Sequence, residues 1–149
     1  MVRINLLFEV CKNAVIINNA VNYDLIRLKS GIKFKIKTGF LKKYSAIVDT
    51  GAHISVFPRS IWQKLECEII GESQLHGIVK RENCSIPVSV GKIKYSLTDQ
   101  YGNETEEKSA LAFLAHTDKV PIILGFKGVL DKLRIYFNFQ NNIAYAEEV

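Results

Sequence analysis

The most informative part of this sequence is residues 44–52 (YSAIVDTGA), where an apolar run ends in an acidic residue followed by threonine and glycine. Such a run predicts a β-strand that carries Asp49 toward the interior, where an isolated carboxylate is costly. Gly51 lets the backbone turn sharply, so its N–H can point back at the Asp49 carboxylate. The pattern therefore indicates either an ordinary turn between two strands or a carboxylate held in place for a chemical task.

The rest of the chain predicts an all-β fold. Short apolar runs are separated by turn signals at Ser30-Gly31, Gly39, Gly91, Gly102-Asn103 and Asn141-Asn142. Two segments have helical character, Pro58–Leu65 and Gly128–Leu133. Together these features indicate a small β-barrel or sandwich. The predicted strands are Ile4–Val10, Ala14–Ile17, Leu25–Leu28, Ile32–Thr38, Tyr44–Val48, Glu68–Ile70, Ile86–Val90, Ile93–Thr98, Leu111–Leu114, Ile122–Leu124, Leu133–Phe139 and Ile143–Ala146.

The length of 149 residues, with 48% apolar and 23% charged residues, predicts one globular domain and excludes a disordered or collagen-like protein. The uncharged stretch 13–23 is too short and too rich in asparagine to cross a bilayer. Glu9 and Lys12 interrupt the apolar run near the N-terminus, so we expect no signal peptide. The cysteines have no short paired spacing and are expected to be free thiols, which favours a cytoplasmic location. They are Cys11, Cys67 and Cys84.

The formal net charge of +5 raises the question of nucleic-acid binding. In residues 32–37, however, lysine alternates strictly with apolar residues, as on the solvent face of a half-buried strand, and lysine also deters edge-to-edge pairing. We therefore expect no nucleic-acid partner. The competing interpretation, a β-barrel that binds nucleic acid through its lysine face, predicts steeply salt-dependent binding that Asp49→Asn leaves unchanged.

Residues 49–52 (DTGA) are flanked by 46–48 (AIV) and 55–57 (SVF), and a second element, 120–125 (VPIILG), precedes a short predicted helix. In this order and spacing they resemble the active-site signature and the apolar-apolar-Gly segment of retropepsin-like aspartic proteases. The resemblance, to a stand-alone, prokaryote-like member, runs from Gly31 to the C-terminus. It implies a protease domain at 31–149 and an N-terminal extension at 1–30 that supplies extra strands or a pro-segment.

The resemblance implies an all-β, closed retropepsin-like acid-protease barrel with one or two short helices, active as a homodimer. The chain has a single Asp-Thr-Gly, so a catalytic pair needs two copies of Asp49 meeting across a two-fold axis. Thr50 would then hydrogen-bond across the axis, and the Gly51 carbonyl would accept a substrate amide. Two such carboxylates share one proton and activate a water for attack on a peptide bond, with no metal and no organic cofactor.

The same resemblance implies further site residues. Ala52 replaces a serine that pepsin-like enzymes often carry, and without that hydroxyl we expect activity nearer neutral pH. His53 and Phe126 stand where retroviral enzymes carry an Asp–Arg ion pair, and this departure leaves open an alternative, a catalytically silent module that dimerises or binds peptides. The implied substrate-binding residues are Ala52, His53, Leu124 and Gly125, with His76, Gly77 and Ile78 in a flap.

Other chemistries find little support in the sequence. The histidines, His53, His76 and His116, are not paired at helical spacing and no Cys-x-x-Cys occurs, so we expect no metal site. A Cys84–His76 nucleophilic pair has no local motif, and no serine lies in a nucleophile elbow. The expected partners are a second copy of the chain and a peptide or protein substrate, with no membrane.

Overall fold

The computed structural model describes residues 2–17, 21–75 and 85–149, and these residues form a predominantly β structure. The helical elements of this part of the chain are one short α-helix, α1 (Arg59–Trp62), and one 3-10 turn at Leu130–Lys132. The all-β prediction is therefore confirmed. The strands are β1 (Arg3–Asn5), β2 (Leu7–Ile17), β3 (Val21–Lys35), β4 (Leu41–Val48), β5 (Ser55–Phe57), β6 (Glu68–Leu75), β7 (Ile86–Thr98), β8 (Lys108–Ala115), β9 (Ile123–Leu124), β10 (Leu133–Asn138) and β11 (Ile143–Glu148).

These strands form two sheets. The smaller has the order β1-β11-β10, and the larger has the order β2-β3-β4-β9-β5-β8-β7-β6. Within the larger sheet, β4 pairs with β9 and β5 pairs with β8 in parallel, whereas the other pairings are antiparallel. β3 pairs with β7 through Gly31–Lys33 while its other edge pairs with β4.

Two glycines predicted to form turns lie inside long strands instead. A Cβ on Gly31 would lie 2.4 Å from the carbonyl oxygen of Thr98, and one on Gly91 would lie 2.8 Å from Leu114 Cδ1. Both positions lack a side chain because a neighbouring strand packs against the backbone, so the turn predictions there were wrong. The other turn signals are confirmed, with positive φ angles at Gly39 (91°), Gly102 (87°) and Asn142 (53°).

The remaining boundaries differ in detail. β5 was not predicted because it has only three residues, all of them buried, and so shows no alternation. The predicted strand Ile4–Val10 is divided at Leu6, because β1 pairs with β11 whereas β2 pairs with β3. β3 continues without a break across residue 30. The helix predicted at Gly128–Leu133 is only the 3-10 turn, since β10 begins at Leu133.

The apolar side chains form two clusters. The main core contains residues from both sheets, among them Ile4, Ile32, Phe57 and Leu124, each no more than 1% exposed. The second cluster is smaller, and its buried members are Val56, Val88, Ala115 and Val120. Because Val56 and Phe57 are consecutive on β5, their side chains point to opposite faces, and the two clusters lie on opposite sides of the sheet there.

The lysine-rich strand is half-buried, as its alternation predicts. Ile32 and Phe34 are 0% and 1% exposed, whereas Lys35 is exposed and Lys33 forms an ion pair with Glu104. No helix within the described residues is long and apolar enough to span a bilayer.

Asp99 ties the N-terminal strand to the turn after β7. Its carboxylate accepts hydrogen bonds from the backbone N–H and side-chain amide of Asn5 at 2.9 and 2.8 Å, from the N–H of Tyr101 at 2.9 Å, and from both donors of Asn103 at 2.9 and 2.8 Å. Burial by itself would raise the pKa of Asp99, but the hydrogen bonds from Asn103 and Asn5 outweigh it and hold the pKa far below its usual range.

We expect Asp99→Asn to lower the free energy of unfolding by about 2 kcal/mol at pH 7, because bonds to a charged acceptor are worth roughly 1.5–3 kcal/mol each and asparagine keeps only part of them. Since the folded-state pKa is depressed, this stabilisation is present above the unfolded value of about 4 and is lost progressively as the pH falls from about 5. Urea unfolding of both proteins at pH 7 and pH 3 tests this; an equal difference at both pH values would contradict it.

Candidate active site

Asp49 lies where β4 leaves the sheet and the loop to β5 begins. β4 pairs in parallel with β9 through Ile47↔Ile123 and Val48↔Leu124, and the N–H of Asp49 donates to the Leu124 carbonyl at 3.1 Å. The backbone N–H of Asp49 is therefore still bonded to the sheet, although Asp49 is the first residue of the loop that follows β4. The Gly51 N–H donates to Asp49 Oδ1 at 2.8 Å, which confirms the geometry expected from the Asp-Thr-Gly pattern.

We call residues 49–54, between β4 and β5, the Asp49 loop. Backbone hydrogen bonds join this loop to the segment that follows β9. The N–H groups of Phe126 and Lys127 donate to the carbonyls of Ala52 and His53 at 3.0 and 2.8 Å. Gly125 donates its N–H to Ser55 Oγ at 2.9 Å, and Ser55 is fully buried. A Cβ on Gly125 would lie 2.6 Å from the carbonyl carbon of Ile54 and 2.9 Å from the Ala52 oxygen, so only glycine fits.

The loop residues differ in their access to solvent. Asp49 is half-buried rather than interior, and Ala52 is also half-buried, whereas Thr50, Gly51 and His53 are exposed. Thr50 is therefore accessible to another molecule, and Asp49 is accessible in part. The surrounding backbone stays fixed by the hydrogen bonds just described.

The two other substrate-binding residues implied by the sequence lie beneath the loop. Leu124 is 0% exposed within the main core, and Gly125 is buried against the loop backbone. Their burial fits a supporting role better than direct contact with a ligand. The preceding residue, Ile123, points to the opposite side, where it packs half-buried on the second cluster.

Ile123 belongs to an apolar wall next to the Asp49 loop that the sequence did not single out. It pairs with Ile47 on one side and with Val56 on the other. Partly buried side chains from three further strands complete the wall. They are Leu75 of β6, Ile86 of β7 and Phe113 of β8. Residues 122–124 are all apolar, so the sequence carried no signal that showed which of them faced the main core.

The predicted flap residues His76, Gly77 and Ile78 lie outside the described residues, as does Cys84. The strands that lead to them are described: β6 and β7 pair antiparallel as far as Leu75↔Ile86. His53 and Phe126, the residues that replace the retroviral ion pair, are both exposed, Phe126 at 45%. Their segments are joined by the backbone bond from Lys127 to His53.

A second polar cluster joins β6, β7 and the end of β8. Ser89 Oγ lies 2.9 Å from His116 Nε2 and 3.1 Å from both carboxylate oxygens of Glu72, while Glu72 Oε2 lies 3.7 Å from the same nitrogen. A hydrolytic triad requires the acid to hold the other imidazole nitrogen, so this arrangement is not one. Within residues 2–17, 21–75 and 85–149, no three potential metal ligands are grouped together.

We expect Ser55→Ala to cost about 1–3 kcal/mol of folding free energy, because it leaves the buried Gly125 N–H without an acceptor. Ser45→Ala is the matched control, since Ser45 is exposed on β4. Urea unfolding of the two variants measures the difference. Equal stabilities would show that the Ser55–Gly125 bond does not support the loop.

Comparison with protein-family models gives no match for this chain, and comparison with curated proteins gives none either.

Proposed function

We propose that this chain is a retropepsin-like aspartic endopeptidase whose catalytic carboxylates are Asp49 of two copies. The observation that carries the proposal is the half-buried Asp49, whose Oδ1 accepts a hydrogen bond from the Gly51 N–H at 2.8 Å. The backbone of the Asp49 loop packs closely against Gly125. A carboxylate used for proton transfer must be positioned in advance and open to its substrate. The likeness of residues 49–57 and 120–125 to the family's motifs supports the same assignment.

One copy supplies only half of the chemistry. Two carboxylates about 3 Å apart cannot both ionise, so the pair holds one proton. The ionised member takes a proton from a bound water as the water oxygen attacks the scissile carbonyl carbon. The protonated member gives its proton to the carbonyl oxygen, which forms a neutral tetrahedral diol. The protonated member then gives its proton to the amide nitrogen while the ionised member takes a proton from a diol hydroxyl. The C–N bond breaks to release a carboxylic acid and an amine, and the pair again holds one proton.

The homodimer follows from the single Asp-Thr-Gly of the sequence. The exposure of Thr50 supports its proposed hydrogen bond across the two-fold axis. The additional pairing of β3 with β7 supports the closed barrel of this family, because it links β3-β4-β9-β5-β8-β7 into a continuous ring of neighbours.

The apolar wall indicates the substrate class. Ile47 and Ile123 are half-buried register partners next to the Asp49 loop, so an apolar substrate side chain next to the scissile bond would be bound there. We propose that the β6–β7 hairpin, with His76, Gly77 and Ile78 at its tip, closes over the substrate.

Cleavage of a mixed peptide library between pH 4 and 7.5 tests the function. We expect cuts between apolar residues, with a rate per chain that rises with protein concentration until the dimer is fully formed. A protein that sediments as a dimer but cuts no peptide would support the alternative, a silent retropepsin-like module that dimerises or binds peptides.

A further inference from the structure

The N-terminal half of β3 and its partner β2 form a two-stranded arm. β4 pairs with β3 only from Lys29 onward and β7 only from Gly31 onward, so residues 8–11 and 25–28 pair with each other alone. A ribbon of two strands is at best marginally stable by itself. The arm, defined as residues 8–11 and 25–28, therefore needs contacts on one of its faces.

The arm projects from the end of the sheet that carries Asp49. β3 runs antiparallel to β4, and the register places Lys29 opposite Ile47. If that register is continued, Arg27, two residues before Lys29, is level with Asp49, two residues after Ile47. Any molecule that meets the Asp49 loop along this sheet edge therefore also lies beside the arm.

The two faces of the arm differ in polarity. On one face Glu9 forms ion pairs with Arg27 and Lys29 at 3.8 and 3.5 Å. On the other face Phe8 and Leu28 pack against the main core. Beyond them Val10 and Ile26, which are register partners, remain 37% and 46% exposed. The apolar face of the arm thus extends beyond the main core, where Val10 and Ile26 remain accessible to solvent.

This face continues onto the β10–β11 hairpin. The Phe8 and Phe139 rings make an edge-to-face contact with centroids 5.1 Å apart, and Phe139 and Phe137 are 46% and 63% exposed. We call Val10, Ile26, Phe137 and Phe139 the arm patch. Four such side chains, each about half-exposed, leave roughly 400 Å² of apolar surface per copy. A standard interface buries about 800 Å² per partner, of which a little over half is apolar, so the patch matches that share.

We propose that the arm patch packs against a second copy of this chain, so that each arm contacts the partner next to the paired Asp49 loops. This inference rests on the homodimer of the proposed function. A second copy is the occupant because the Asp49 site is incomplete without one and the arm lies level with that site. Burial of the patch also stabilises the outer part of the arm, at Val10 and Ile26, beyond the contacts that Phe8 and Leu28 make with the main core.

Val10→Lys combined with Ile26→Glu tests the arm. The two residues face each other across the strands, so the new charges attract and preserve the pairing while the apolar surface is lost. The control is Glu9→Gln with Arg27→Gln on the opposite face of the same arm. By sedimentation equilibrium we expect the first variant to weaken dimerisation at least about tenfold and the control to leave it within about twofold.

Amide hydrogen exchange of the unmodified protein provides a second measurement that does not depend on a variant folding. Exchange at residues 8–11 and 25–28 should slow when the protein concentration is raised from below to above the dimer dissociation constant. Unchanged exchange there would overturn the proposal.

The outcomes separate the arm from the proposed function. A wild-type dimer whose dissociation constant the Val10/Ile26 variant leaves unchanged overturns the arm alone. A wild type that is monomeric throughout and cuts no peptide overturns the proposed function and the arm with it. A variant that dimerises normally and cuts short peptides, but no longer cuts proteins, also overturns the proposal, because the patch would then bind substrate.

Discussion

Asp49→Asn is expected to reduce peptide cleavage by about 10³-fold or more, because the amide can neither take a proton from water nor share one with its partner. The fold should be retained, since the amide oxygen of asparagine can still accept the Gly51 N–H that now bonds to Asp49 Oδ1 at 2.8 Å. Initial rates on the best library peptide, with thermal unfolding measured in parallel, separate lost chemistry from lost structure.

Asp131→Asn is the matched control for this substitution, because Asp131 is an exposed carboxylate in the 3-10 turn after the site. It should cleave at a rate within about twofold of the wild type. Activity that survives Asp49→Asn, or falls equally in both variants, would contradict the assignment of Asp49.

Gly125→Ala is expected to cost about 3 kcal/mol or more of folding free energy, and to remove dimerisation and cleavage together. The new Cβ would lie 2.6 Å from the carbonyl carbon of Ile54, 2.8 Å from its oxygen and 2.9 Å from the oxygen of Ala52. All three atoms belong to the backbone of the Asp49 loop, so the loop itself would have to move. Urea unfolding measures the loss.

Gly71→Ala provides the control, because a Cβ at Gly71 in β6 would meet nothing within 4 Å. Its stability should change by less than about 1 kcal/mol, and a small gain is expected from reduced backbone freedom in the unfolded chain. A Gly125→Ala variant as stable as this control would show that the close approach behind the Asp49 loop is not required.

The part of the fold that the sequence predicted best is local. The Gly51 N–H to Asp49 bond spans two residues, and the half-buried strand at Ile32–Lys35 follows from alternation, so both can be inferred from neighbouring residues alone. The turn predictions at Gly31 and Gly91 were wrong, because what requires glycine there is a close contact with a residue distant in the sequence, Thr98 or Leu114. No local pattern distinguishes a glycine that turns from one that another strand crosses closely.

The candidate site shows the same division. Asp49, Thr50 and Gly51 were identified from their own motif, whereas Ser55 acts through a bond to Gly125 seventy residues away. Leu124 and Ile123 are adjacent and both apolar, and only the position of the core shows that Leu124 lies beneath the loop and Ile123 lies beside it. The arm depends on where β4 and β7 begin to pair with β3, which the sequence does not reveal.

Mixing wild-type chains with Asp49→Asn chains tests most directly whether two copies build one site. The total concentration is kept fixed and well above the dimer dissociation constant. When an equal mixture exchanges subunits at random, about a quarter of all dimers consist of two wild-type chains. We therefore expect the cleavage rate to fall to about a quarter of that of the pure wild type, following the square of the wild-type fraction. A fall to only about half, in proportion to the wild-type fraction, would mean that each chain cuts alone and would contradict the shared pair of Asp49 carboxylates.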